Sequence, residues 1–265
     1  MQQLRNRFKE AIHTARPLIG VWSMLNSSTA VEAVGHAGYD WMLLDGEHSP
    51  MGLQNAIDHM RALAATATMP IVRVATNDAI LFKRYLDAGV TTVMVPYVQG
   101  PEEARAAVDA MHYPPAGKRG VAVMHRASRY GHVSEYLKTA SDSLCLILQL
   151  ETLEALSRLE EIGSVQGVDA LFIGPGDLSA SMGLLGQPDH PKVQEVAAEA
   201  LERARRLRIP LGILAPNPGA AERYIAMRFA FISVANDLAM LVQSADASAA
   251  RYQELAAARE TSAEP

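Results

Sequence analysis

Short apolar runs alternate with longer stretches in which apolar residues recur every three or four positions, and the alternation persists along nearly the whole chain. The short runs, at 19–24, 41–45, 71–74, 92–95, 144–150, 170–173, 211–214 and 229–234, read as buried strands. The longer ones, at 28–37, 51–64, 78–87, 101–111, 152–162, 191–206, 219–227 and 237–247, read as amphipathic helices. Pro70, Pro101, Pro191 and Pro210 mark element starts, and Gly38, Gly89 and Gly163 stand where helices close. Eight strand–helix units in succession predict an α/β fold, a (β/α)8 barrel forming one domain over 1–265. A doubly wound sheet is the competing topology, but it usually carries a glycine-rich phosphate turn after its first strand, where this chain has Asn26-Ser27-Ser28. Two pieces fall outside the repeat. The connection 113–140 is long and rich in His, Arg and Gly, as functional loops are. The tail after about 251 is expected to be mobile.

Composition narrows the setting. The chain has 265 residues, of which 49% are hydrophobic and 20% charged, as in ordinary soluble enzymes. A net charge of −5 gives no support for nucleic acid as a partner. The one cysteine, Cys145, cannot form an intrachain disulfide, the charged N-terminus lacks the apolar segment of a secretory signal, and no apolar run is long enough to span a membrane. We therefore expect a cytoplasmic protein that does not associate with membranes.

The polar residues collect where a barrel keeps its active site, at the carboxyl ends of the strands. Trp22 and Asn26 lie near the end of the first strand, and the second ends in Asp45-Gly46-Glu47-His48. Arg73 interrupts an otherwise aliphatic third strand, the fifth ends in Gln149-Leu150-Glu151, and the sixth runs through Gly174-Pro175-Gly176 into Asp177. Glu151 and Asp177 are 26 positions apart, one βα repeat, so they stand on adjacent strands and can face one ion. Two carboxylates with water suit a hard divalent cation such as Mg2+ or Mn2+, whereas either carboxylate alone could merely cap a helix. The amides of Gly176 and Asp177, at a possible helix start, suit a carboxylate. Arg73 reads either as the cation for a substrate oxyanion or as a structural ion pair, for example with Asp45. His48 is a proton carrier if a carboxylate orients it, and Asp87 is a candidate for that role. All five lysines (Lys9, Lys83, Lys118, Lys138, Lys192) lie off the expected strands, so the buried strand lysine that a Schiff-base aldolase needs is missing, and no GxSxG elbow is present.

Asp45-Gly46-Glu47-His48, the isolated Arg73, Arg126-Ala127-Ser128-Arg129, Gln149-Leu150-Glu151, the run Gly174–Gly183 and Gly212-Ile213-Leu214-Ala215 occur in the order found in the HpcH/HpaI aldolases, which this chain resembles from about 20 to about 237. These are class II, metal-dependent pyruvate aldolases. The resemblance implies reversible cleavage of a 4-hydroxy-2-oxo acid to pyruvate and an aldehyde. It implies Glu151 and Asp177 as ligands of a divalent metal (Mg2+ or Mn2+, with Co2+ possible) with Gln149 beside them, and the Gly176 and Asp177 amides on the pyruvate carboxylate. Arg73 would serve the enolate oxygen and His48, oriented by Asp87, would act as acid and base with a water. Trp22 and Leu214 would shape the pocket. It also implies a homohexamer built from dimers that exchange their C-terminal helices. This chain departs from the family pattern in having Gly176 where many members have alanine, and Met124-His125 before Arg126, so we expect His125 to bear on aldehyde choice. An acyl-CoA lyase of the same superfamily would share the metal pair and Arg73 but should show a basic surface for CoA phosphates, and no lysine cluster lies near the mouth. A silent barrel would have no reason to converge these charges on one face.

Overall fold

The structure, a computed structural model, describes residues 5–261. Strands β1 (Leu18–Ser23), β2 (Trp41–Asp45), β3 (Met69–Arg73), β4 (Thr92–Val95), β5 (Cys145–Leu150), β6 (Ala170–Ile173), β7 (Leu211–Leu214) and β8 (Phe231–Asn236) are parallel and close into a barrel in sequence order, β8 pairing with β1. The fold is the expected (β/α)8 barrel.

The alternation of side chains along each strand divides the apolar residues between two cores. Leu43, Ile71, Ile147, Phe172 and Phe231 point inward with Trp22 and Trp41 and fill the barrel. Met42, Leu44, Val72, Leu148, Leu171 and Ile232 point outward and pack beneath the helices. Aromatic rings fit inside because glycines face them: a Cβ on Gly20 would lie 2.0 Å from the Trp41 ring, and one on Gly212 would lie 2.4 Å from Phe231. The amino end of the barrel is plugged by Phe8 and Ile12, from the short helix Arg7–Ala11 and its C-cap, with the Phe8 ring edge-on to Phe231 at 5.3 Å. The sequence pattern gave no sign of this plug.

Boundaries moved where local chemistry outweighed pattern. β3 begins two residues early, at Met69, and β8 starts two residues late, because Phe229 packs into the outer core before pairing begins. The helix expected over 152–162 breaks at Arg158 (φ −101°, ψ 17°) into Leu153–Ser157 and Leu159–Gly163. The last helix does not stop at 247 but runs through Asp237–Thr261, so the tail expected to be mobile is helical up to there, and 262–265 lie outside the described residues. Residues 241–259 are all exposed, so beyond its first turn this helix stands clear of the barrel. No helix among the described residues is long and apolar enough to cross a membrane.

The topology sorts the connections by face. Helices run antiparallel to strands, so strand-to-helix loops gather at the carboxyl end of the barrel and helix-to-strand loops at the amino end. The 113–140 connection joins helix Pro101–Met111 to β5 and therefore lies at the amino end, away from the mouth.

Candidate active site

The inward positions that form the apolar filling of the barrel become polar one step further along. Trp41 and Leu43 lead to Asp45 on β2, and Met69 and Ile71 lead to Arg73 on β3; Asp45 and Arg73 are partners in the strand register. The guanidinium meets the carboxylate as a fork, Nε to Oδ1 at 2.9 Å and Nη2 to Oδ2 at 2.6 Å. The Trp22 indole donates to Asp45 Oδ2 at 3.1 Å and its ring lies 4.8 Å from the guanidinium carbon. Arg73 Nη1 lies 2.9 Å from Glu47 Oε2. Asp45 is fully buried and Arg73 is 5% exposed, so this is a desolvated ion pair. Burial opposes ionisation of Asp45, but the hydrogen bonds and charge of Arg73 outweigh it and hold the carboxyl below its usual range. Arg73 thus forms the structural ion pair with Asp45, and it stands in the polar layer at the mouth.

On β5, Cys145 and Ile147 lead to Gln149, and Glu151 follows at the strand exit. The Gln149 amide nitrogen donates to Glu151 Oε1, and the Tyr97 backbone N–H donates to Oε2 at 3.1 Å. Gln149 Oε1 is buried without a hydrogen-bond partner. Glu151 is 2% exposed, and burial, reinforced by the negative charges of Asp177 and Glu47, pushes its carboxyl up to about 7. Asp177 itself is exposed, in the first turn of the helix Pro175–Ser181.

The two glycines of the Gly174-Pro175-Gly176 turn differ in purpose. A Cβ at Gly174 would come within 2.6 Å of Glu151 Oε1 and 3.1 Å of Gln149 Nε2, so the glycine keeps that space open. At Gly176 a Cβ meets nothing within 4 Å. Gly176→Ala, which also restores the residue many family members carry, should therefore raise stability by about 0.5–1 kcal/mol through reduced chain entropy, with activity within twofold. Gly174→Ala should displace the Glu151 carboxylate and lower activity at least tenfold. Parallel thermal melts and rate assays on the two variants check this contrast.

The other expected site residues fall in different places. Leu214 ends β7, half-buried against the same inner cluster as Trp22. The side chain of His48 is 61% exposed, with Nε2 3.7 Å from Glu47 Oε2. Asp87 does not orient His48 within the chain. It is the last residue of the helix Ala79–Asp87, hence at the amino end of the barrel, where it pairs with Arg119 Nη2 at 2.7 Å. His125 lies 3.8 Å from that same carboxylate and edge-on to Tyr136, so it cannot line the mouth of its own chain. Sequence reasoning assigned no part to Glu47, which faces both Arg73 and His48, or to Tyr97, which holds Glu151 through its backbone.

The donors fit a hard divalent cation. Glu151 and Asp177 supply carboxylate oxygens, the unpartnered Gln149 Oε1 supplies a buried amide oxygen, and the raised carboxyl of Glu151 marks negative charge without a full counterion. No group of three or more His, Cys, Asp or Glu side chains among the described residues forms a closed cage. The set suits an open site that leaves positions for water and substrate. Glu151 also predicts how cation binding varies with pH. Its folded-state value lies above the unfolded one, so the stability it confers is present below about 4.5 and is lost as pH rises through about 7. A bound cation removes that penalty, so the rise in melting temperature produced by Mg2+ should be larger at pH 8 than at pH 6. An equal rise at both pH values would count against Glu151 as a ligand.

The chain is similar to known proteins over most of its length. The profile of the HpcH/HpaI aldolase/citrate lyase family matches residues 18–244. A pyruvate aldolase of Rhizobium etli is 47% identical over 247 residues, covering 93% of this chain and 97% of that protein. A 4-hydroxy-2-oxo-heptane-1,7-dioate aldolase of Shigella sonnei is 43% identical over 250 residues, covering 94% and 95%. The crystal structure of an HpcH/HpaI aldolase/citrate lyase family protein from Burkholderia cenocepacia superimposes with a TM-score of 0.90 at 36% identity, covering 94% of this chain and 99% of that one.

Proposed function

The chain belongs to the HpcH/HpaI aldolase/citrate lyase family, and on that footing we propose that it is a carbon–carbon lyase that cleaves a 4-hydroxy-2-oxo acid reversibly to pyruvate and an aldehyde. The observation that carries this reading is the desolvated Asp45–Arg73 fork at one mouth with the Gln149–Glu151 pair, the charges of Arg73, Glu47 and Asp177 all reaching Glu151.

Retro-aldol cleavage breaks the C3–C4 bond, moves the C4 hydroxyl proton to a base and leaves the electron pair as the pyruvate enolate. Glu151 and Asp177, with Gln149 beside them, would hold a divalent cation such as Mg2+ or Mn2+, which would supply Lewis-acid stabilisation of the developing negative charge. Arg73 adds a second positive charge for the enolate oxygen, and its fork on Asp45 fixes the guanidinium before the charge develops. The Gly176 and Asp177 amides receive the substrate carboxylate. His48, exposed at the mouth beside Glu47, takes the C4 proton with a water and returns one to C3. Trp22 and Leu214 bound the pocket. Asp87 sits at the opposite end of its own barrel, so the pairing with His48 that the resemblance implies is open only between copies of the chain. We accordingly keep the homohexamer as the working assembly, with the exposed C-terminal helix as the element exchanged. The one cysteine, buried and free, suits the cytoplasm.

Purified protein stripped with EDTA tests the reading. Pyruvate should be released from a 4-hydroxy-2-oxo acid when Mg2+ or Mn2+ is restored and not before. Cleavage of a malyl-CoA-type thioester in place of the free acid would move the protein to the CoA lyases.

A further inference from the structure

Tyr97 combines three features that its neighbours do not explain. It stands in the loop that leaves β4 at the carboxyl end of the barrel, the residue is 59% exposed, and its φ is +55°. A bulky residue with positive φ is a backbone outlier, and such strain persists where the surroundings demand it. The demand is visible here. Tyr97 N–H points at Glu151 Oε2 (3.1 Å), and the next amide, Val98 N–H, points at the Gln149 carbonyl (3.1 Å). Successive amides of an extended chain face opposite ways; a left-handed residue turns both to one side, as in the nests that bind anions. The loop is further tied to β5 by Thr152 Oγ1 donating to Gln99 Oε1 at 2.7 Å. The backbone of Tyr97 is therefore committed to Glu151. Glycine meets that conformational demand without strain, so the aromatic side chain is present despite the backbone. The side chain is therefore exposed at the carboxyl rim, in the loop after β4, and β4 is the strand paired with the one that leads to Glu151.

Resting on the aldolase reading, we propose that Tyr97 divides its role: the amide positions Glu151, and the ring is the wall against which the substituent of the aldehyde packs. The site then selects aldehydes with a large apolar or aromatic substituent over two-carbon aldehydes.

Two variants separate the two roles. Tyr97→Gly keeps the amide, releases the strained φ and removes the ring; Tyr97→Phe keeps the ring without its hydroxyl. Each is measured with Mg2+ present for exchange of the pyruvate C3 protons with solvent deuterium, which needs no aldehyde, and for kcat/KM of pyruvate addition to benzaldehyde and to glycolaldehyde. In Tyr97→Gly the benzaldehyde-to-glycolaldehyde ratio should fall about tenfold, the size of one aromatic packing contact, whatever the accompanying change in exchange rate. In Tyr97→Phe the ratio should stay within twofold of wild type. An unchanged ratio in Tyr97→Gly overturns the proposal, because loosening of Glu151 would slow both additions alike, and so does a ratio that falls as far in Tyr97→Phe as in Tyr97→Gly. A wild-type protein that exchanges no pyruvate proton overturns the aldolase reading itself and this inference with it.

Discussion

Arg73→Ala should abolish pyruvate release and also destabilise the barrel, the two losses having different causes. The kinetic loss comes from removing a preorganised cation at the enolate oxygen. Deleting one such donor costs about 10^2–10^3 in rate where it has been measured elsewhere. The loss of stability comes from Asp45, which is fully buried and held ionised by Arg73 against the cost of burial. Removing one partner of a buried pair costs about 3–5 kcal/mol, because the remaining charge is left uncompensated. The two causes separate in a second variant. Asp45→Asn in the Arg73→Ala background removes the stranded charge, so it should recover part of the melting temperature while activity stays lost. Arg73→Lys should fall between wild type and Arg73→Ala, since an ammonium keeps the charge but cannot span both oxygens of Asp45 and Glu47 as well. Recovery of activity together with stability in the double variant would show that Arg73 serves only the fold.

Glu151→Gln is the second large effect, and its signature is the reverse. Gln is close to Glu in size and accepts the Tyr97 N–H, so the strand exit should survive. The variant removes a carboxylate that burial and the charges of Asp177 and Glu47 hold up to about 7, so the metal-free protein at pH 8 should be as stable as wild type or more so. Activity should fall by at least about 10^3, and the stabilisation by Mg2+ should disappear, because one of two protein carboxylates for the cation is gone. Thermal melts with and without Mg2+, read beside the rate, check both halves. A variant that is inactive yet stabilised by Mg2+ as strongly as wild type would move the cation to other ligands.

The parts of the site that were legible in the sequence are those governed by alternation along a strand. Arg73 was conspicuous because a charge in Ile71-Val72-Arg73-Val74 is costly unless it faces the mouth, and Gln149-Leu150-Glu151 showed its polarity two residues apart on a run that is otherwise apolar. Positions fixed by backbone conformation were invisible. Nothing in Pro96-Tyr97-Val98 announces a left-handed residue aimed at Glu151. Glu47 reads as an ordinary loop acid until the fold brings it to Arg73. Asp87 was a candidate to orient His48, on its own account and by the resemblance, and the chain direction of its helix puts it at the other end of the barrel. The last helix outran its expected end because residues 248–259, rich in alanine with Leu255, Glu254 and Arg251, are strong helix formers that carry no stop signal, while their full exposure leaves no apolar stripe to read.

The central claim is that this mouth stabilises the enolate of pyruvate with a divalent cation and Arg73. Exchange of the C3 protons of pyruvate with deuterium oxide, followed by NMR without any aldehyde, measures that step alone. EDTA-stripped protein should exchange no faster than the solvent background, Mg2+ or Mn2+ should restore exchange by orders of magnitude, and Arg73→Ala with metal should return to background. Exchange that proceeds equally in EDTA, or that no divalent cation restores, would contradict the account.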